Sequence, residues 1–340
     1  MGRGVVLKLL LGLVLLMGGI AACVATHDQP AAVNQPNASA ISAQMNQAYS
    51  DQGEKTCLTC HNSHPVDYVL RTSHAVKGDA RSPFGQQGCE SCHGPSGDHA
   101  KLKMGADGKL IMPPVLFKKP NVDGVDISPV AVRNDACLNC HQAGLRMNWQ
   151  GSQHANNDLA CTDCHTVHVT KDPVLVKVTQ PGKCFPCHAQ QRAESFEYSH
   201  HPIQEGLVVC SDCHNPHGSP GPHLMKEFTV NETCYNCHAE KRGPLLWEHQ
   251  PVRDDCTNCH TPHGSVQKRL LIEQTPFLCD SCHSQSQASH GGAFGGAASI
   301  PTSQLGSTFV QSQLANQRSC LNCHSQIHGS NSPAGAFFLR

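Results

Sequence analysis

The sequence predicts a fold of short helices and loops with very little β-sheet, wrapped round a linear, staggered chain of bound groups that stands in for a side-chain core. Three observations predict it. The string Cys-x-x-Cys-His occurs ten times between Cys57 and His324 and uses twenty of the twenty-one cysteines. Only 5 % of the residues are aromatic and 39 % hydrophobic, against 22 prolines and 29 glycines. The histidines outside the motif recur at repeated offsets from it.

Each copy reads as a c-type haem attachment, in which two thiols form thioethers and the histidine gives an axial nitrogen to the iron. Cysteines three apart reach two sides of one porphyrin edge, and the next residue lies beneath the ring. The copies are Cys57, Cys60 and His61; Cys89, Cys92 and His93; Cys137, Cys140 and His141; Cys161, Cys164 and His165; Cys184, Cys187 and His188. They continue as Cys210, Cys213 and His214; Cys234, Cys237 and His238; Cys256, Cys259 and His260; Cys279, Cys282 and His283; Cys320, Cys323 and His324. A single Cys-x-x-Cys fits half a zinc knuckle or a redox dithiol equally well. Zinc does not require histidine directly after the second cysteine, and here every copy has one. The expected fold is a multihaem cytochrome c with ten haems as its core, and the chain without haem is expected to be disordered.

Residues 1–22 read as an export signal, with Arg3 and Lys8 before the apolar run Leu9–Met17 and small residues up to Ala22. Cys23 follows Ile20-Ala21-Ala22, which resembles a bacterial lipoprotein cleavage box; ordinary cleavage after Ala22 or Ala25 is the competing reading. Residues 23–52 are expected to be a flexible N-terminal segment with a short helix near Ile41–Tyr49. The formal charge is −1, and without Arg3 and Lys8 it is near −3. Haem propionates would make it more acidic still, and nothing resembles a basic nucleic-acid surface. The lysines at 101, 103, 118 and 119 read as a solvated loop.

Fourteen histidines lie outside the motif, and ten of them form two series. His74, His154, His201, His249 and His290 each lie between an odd-numbered motif and the next. His99, His168, His217, His263 and His328 each follow an even-numbered motif. The sequence therefore divides into five diheme modules, at 53–133 (including an insertion), 134–180, 181–230, 231–275 and 276–340. Ten haems need ten further axial ligands, and the two series supply ten. His64 is left out because no odd-numbered motif in modules two to five has a histidine at that offset; His27, His200 and His223 are also left over. Met104, Met112 and Met147 are set aside as ligands because the histidines suffice. His217 lies too close to His214 to arch over the same ring, so it is expected to bind a neighbouring iron, as are His168 and His263. Three insertions, His74–Cys89, Lys101–Val132 and His290–Cys320, read as surface loops.

Two histidines on every iron leave no open coordination position, so the expected role is electron transfer, with no enzymatic activity and no small-molecule substrate at the irons. The strings Gly88-Cys-Glu-Ser-Cys-His-Gly-Pro-Ser-Gly-Asp-His99 and Asp163-Cys-His-Thr-Val-His168-Val-Thr-Lys-Asp-Pro-Val174 carry a specific resemblance. So do Cys234-Tyr-Asn-Cys-His-Ala-Glu-Lys-Arg-Gly-Pro-Leu-Leu-Trp-Glu-His249 and Arg318-Ser-Cys-Leu-Asn-Cys-His-Ser-Gln-Ile-His328. On these the chain resembles the MtrA/DmsE family of periplasmic decahaem cytochromes over essentially its whole mature length. The resemblance implies a wire inserted from the periplasm into an outer-membrane β-barrel porin, with periplasmic or inner-membrane cytochromes as donors and an extracellular multihaem cytochrome as partner. It also places distal ligands on the same ten histidines and none on His64. A lipid anchor at Cys23 would depart from that pattern. The alternative roles are a soluble periplasmic electron shuttle, or the electron-input subunit of an extracellular sulfoxide-type reductase.

Overall fold

A computed structural model of the chain describes residues 46–121, 125–283, 320–322, 324–333 and 338. The export signal, Cys23, His27, His290, Cys323 and most of the His290–Cys320 insertion lie outside the described residues.

Helices here are short because the sequence keeps interrupting them. The longest described, Val130–Leu138, has 9 residues; most have 3 to 6. Proline opens several, including Pro83–Gly85, Pro173–Leu175 and Pro181–Cys184, where its fixed φ suits the first turn and its missing N–H is not needed. Small polar side chains cap others. Ser152 Oγ accepts from Ala155 N at 3.2 Å, and Thr229 Oγ1 from Glu232 N at 3.1 Å. Asp163 and Asp212, three residues into their helices, reach back to the amides of Ala160 (2.8 Å) and Val209 (3.0 Å). Among the described residues β structure is limited to isolated bridges, as the sequence predicts, and no helix is long and apolar enough to cross a membrane.

From Gln44 onward the chain forms one compact unit. Its buried apolar side chains are few: Val69, Phe84, Val115, Trp149, Ala160, Ile203, Val209 and Met225. Polar clamps hold much of the rest. Asn231 donates to the carbonyls of Val252 and Arg253 (both 2.9 Å) and accepts from Cys256 N at 2.7 Å. Asn134 repeats the arrangement toward Leu159 (3.1 Å) and Cys161 (2.8 Å). Buried Glu90 accepts from Ser50 Oγ at 2.7 Å and Ser96 N at 2.7 Å. The end of the N-terminal segment is thus tied to the second motif.

One contact recurs along the chain and sets the position of everything below. The segment that follows an even-numbered motif packs on the segment that follows an odd-numbered motif one module earlier. Asn215 Nδ2 donates to Leu145 O at 2.8 Å, and Ser199 and Ser265 exchange backbone hydrogen bonds of 2.9 and 2.8 Å. Trp247 and Ser330 exchange two of 2.9 Å. The approach is close enough that a Cβ on Gly264 would lie 1.8 Å from Glu194 O, so glycine is required there.

Candidate haem-binding row

In all ten motifs the histidine N–H donates to the carbonyl of the first cysteine, at 2.8 to 3.1 Å. This is one α-helical turn, and it brings first cysteine and histidine to one side of the backbone. Spacing alone thus produces the local half of the site.

The ten turns neighbour one another in chain order. The first cysteines of the two motifs in each module lie close enough to shift each other's titration: Cys57 with Cys89, Cys137 with Cys161, Cys184 with Cys210, Cys234 with Cys256, and Cys279 with Cys320. The second cysteines make the links between modules, where Cys92 feels Cys140, Cys164 feels Cys187, Cys213 feels Cys237, and Cys259 feels Cys282. As free thiols, Cys92, Cys164, Cys213 and Cys259 are pushed up chiefly by burial. Cys210, accepting from Cys184, is lowered to about 7.

Nine of the ten second-series histidines are described, and each faces the ring of a motif histidine. Their centroids are 5.9 to 6.3 Å apart. The pairs are His61 with His99, His93 with His168, His141 with His74, His165 with His217, and His188 with His154. They continue as His214 with His263, His238 with His201, His260 with His328, and His283 with His249. Two metal–imidazole bonds of about 2.0–2.1 Å plus one ring radius on each side account for such a separation. His74, His154, His201 and His249 reach forward to the next module. His168, His217, His263 and His328 reach back to the previous one. Among the described residues only His99 stays within its own module.

The imidazoles are also held in the right tautomer. Nδ1–H donates to a backbone carbonyl in His93 (Val115, 3.1 Å), His99 (Ile111, 2.9 Å), His168 (Val66, 3.0 Å), His154 (Pro216, 2.8 Å) and His201 (Pro262, 2.6 Å). The same holds for His214 (His223, 2.9 Å) and His260 (Arg269, 2.9 Å). Nε2 is left with its lone pair for a metal, the arrangement that outer-shell carbonyls impose on ligating histidine. Burial lowers His93, His214, His263 and His328, and takes His217 down to about 4 with help from His165 and Arg146. A continuous cavity of about 3650 Å³ runs past the motifs from Cys92 to His328. Ordinary single-ligand pockets measure about 300–1,000 Å³, so this space suits a file of large planar groups. Cysteines, histidine pairs and cavity together fit c-type haem.

The set-aside histidines are elsewhere. His64 bonds Asp67 at 2.6 Å and stacks on Tyr68. His200 bonds Glu197 O at 2.6 Å, and His223 serves through its carbonyl. The Lys101–Val132 insertion is more than a surface loop: Pro114 and Val115 are buried, and its carbonyls orient His93 and His99. Three of its lysines pair with carboxylates, Lys101 with Asp51 (3.4 Å), Lys103 with Asp98 (2.7 Å) and Lys119 with Asp126 (3.2 Å). Sequence reading missed the supporting groups, namely Asn134, Asn231, Asp172, Glu194 and the carbonyls above. A faint signal existed: asparagine stands three residues before Cys137 and Cys234, and proline directly before His217 and His263.

Comparison with known proteins agrees. A family model described as "Doubled CXXCH motif" matches residues 200–243 and 249–288, and one described as "Cytochrome c-type protein NrfB-like" matches residues 89–180. The chain is 43 % identical over 293 residues to the multiheme cytochrome MtrA of Shewanella baltica, covering 86 % of this chain and 83 % of that one. It is 23 % identical over 155 residues to the cytochrome c-type protein NrfB of Escherichia coli O6:H1, covering 36 % and 81 %. With its motifs in one row and an MtrA relative matched over most of both chains, this protein belongs to the MtrA family of multihaem c-type cytochromes.

Proposed function

We propose that the chain is an electron-transfer wire carrying electrons across the outer membrane inside a β-barrel porin. It would run between periplasmic cytochromes and an outer-surface multihaem cytochrome, in respiration on an extracellular acceptor. The observation that carries this reading is that the ten motifs neighbour one another in chain order, first cysteines within a module and second cysteines between modules. Ten haems are proposed, each held by two thioethers and by one of the nine histidine pairs, with His324 and His290 as the tenth. Bound haem supplies one-electron exchange at an iron whose two axial positions are both filled.

The chain's part is to fix spacing and orientation. Eight of the nine described histidine pairs cross between modules and tie their attachment turns to a neighbouring module, so successive sites hold a fixed separation. The lipid-facing apolar band of an outer-membrane barrel is about 25 Å tall. With no described helix able to face lipid along such a length, a surrounding barrel is the economical shield.

The test is extraction of the native protein from outer membranes in mild detergent, followed by native electrophoresis and haem staining. Co-migration with one β-barrel protein per cytochrome is expected. Recovery in the soluble periplasmic fraction with all haems and no barrel would replace the conduit with the shuttle.

A further inference from the structure

At four of the even-numbered sites the motif histidines have matching surroundings, with one exception. His93, His214 and His260 each donate Nδ1–H to a neutral backbone carbonyl, of Val115, His223 and Arg269. His165 instead meets a carboxylate, Asp172 Oδ2, at 2.7 Å. Asp172 is itself fixed in place. Its other oxygen accepts from Thr166 N at 3.2 Å and from Val174 N at 3.4 Å, where it caps the turn Pro173–Leu175. Its side chain is only 14 % exposed, so solvent screens the contact little. His238 has Glu240 at 3.9 Å, beyond hydrogen-bond distance and on the exposed surface.

We propose that Asp172 is a potential-setting residue, making the haem on Cys161 and Cys164 harder to reduce than those at His93, His214 and His260. A charged acceptor draws the Nδ1 proton more strongly than a carbonyl does and raises the basicity of Nε2. Greater donation to the iron, with a fixed negative charge nearby, favours the ferric form. No bond is made or broken and no further reactant is needed; the equilibrium of a single one-electron exchange moves. The row then contains a step near its N-terminal half, which divides the electrons held on either side of it. This inference rests on the proposed ligation of His165 and His217 but not on the barrel.

The experiment is a spectroelectrochemical titration of the full-length holoprotein with parallel low-spin EPR, comparing wild type, D172N and D172S. Asparagine removes the charge and keeps one of the two acceptor oxygens, for the ring Nδ1–H or for the amides of Thr166 and Val174; serine keeps an acceptor for the cap but is too short to reach the ring. Both variants are expected to shift one haem upward, by about tenfold in its reduction equilibrium or ~59 mV for one electron, and to move one EPR signal. Unchanged potentials in a variant that retains wild-type haem content, or a shift spread over many haems, would overturn the assignment to Asp172. A wild-type protein without low-spin bis-histidine signatures would overturn the ligation and this inference together.

Discussion

Replacing His217 with alanine separates the local from the crossed arrangement of ligands. His217 lies three residues beyond His214, yet its ring is 5.9 Å from that of His165 and at 12° to it, while His214 faces His263 at 6.1 Å. The iron that loses its ligand in H217A is therefore the one on Cys161 and Cys164, two motifs earlier in the chain. One iron in ten is affected, so low-spin absorbance and magnetic circular dichroism should fall by about one tenth, with a matching high-spin band. The imidazole-sized space left behind is half-buried and lined by Trp149, whose ring is 6.4 Å from that of His217. Added imidazole should enter it and restore the low-spin signal. A second background fixes the identity of the iron: with Cys161 and Cys164 both changed to serine, that site carries no haem, and H217A should remove no further low-spin signal. A further loss there would place His217 on another iron and refute the crossed scheme.

Truncation after residue 275 removes the last two attachment sites and also His328, which faces His260. The remaining eight haems should count as seven low-spin and one high-spin, and eight low-spin haems would contradict the pairing. N231A strands the amide of Cys256 and the carbonyls of Val252 and Arg253; with one or more buried groups left unsatisfied it should cost ~1–3 kcal/mol by chemical denaturation of the holoprotein. G264A forces a Cβ into Glu194 O and should cost ~1–3 kcal/mol or more, loosening the His214–His263 site, as seen by a rise in high-spin signal on warming. Glu54 is held below its usual value of 4.5, mainly by its hydrogen bond to Lys77. That stabilisation is present above 4.5 and is lost as pH falls through the lowered folded value. K77M should thus narrow the gap in thermal midpoint to wild type on acidification, within the ~0.2–1 kcal/mol of a largely exposed pair.

The sequence by itself determined the chemistry and much of the secondary structure. Cys-x-x-Cys-His is a local pattern, and one helical turn with a single i to i−4 hydrogen bond suffices to place its cysteine and histidine, so the ten motif turns were legible without a fold. The shortage of apolar residues, with frequent proline and glycine, foretold short helices and isolated bridges. The two histidine series were also legible, because a repeat is visible in one dimension. Which histidine meets which was legible only in part: spacing could exclude His214 as the ring that His217 faces, but could not name His165. That choice comes from backbone contacts such as Ser199 with Ser265 and Trp247 with Ser330, which bring segments of successive modules side by side. The groups that orient the rings were hidden for the same reason. The carbonyls of Val66, Pro216 and Pro262 carry no side-chain signature, and Asp172 looked like any loop aspartate until the turn at Pro173 aimed it at His165. Local spacing fixes what a residue can bind; only tertiary packing decides its partner, because the partner comes from a different part of the chain.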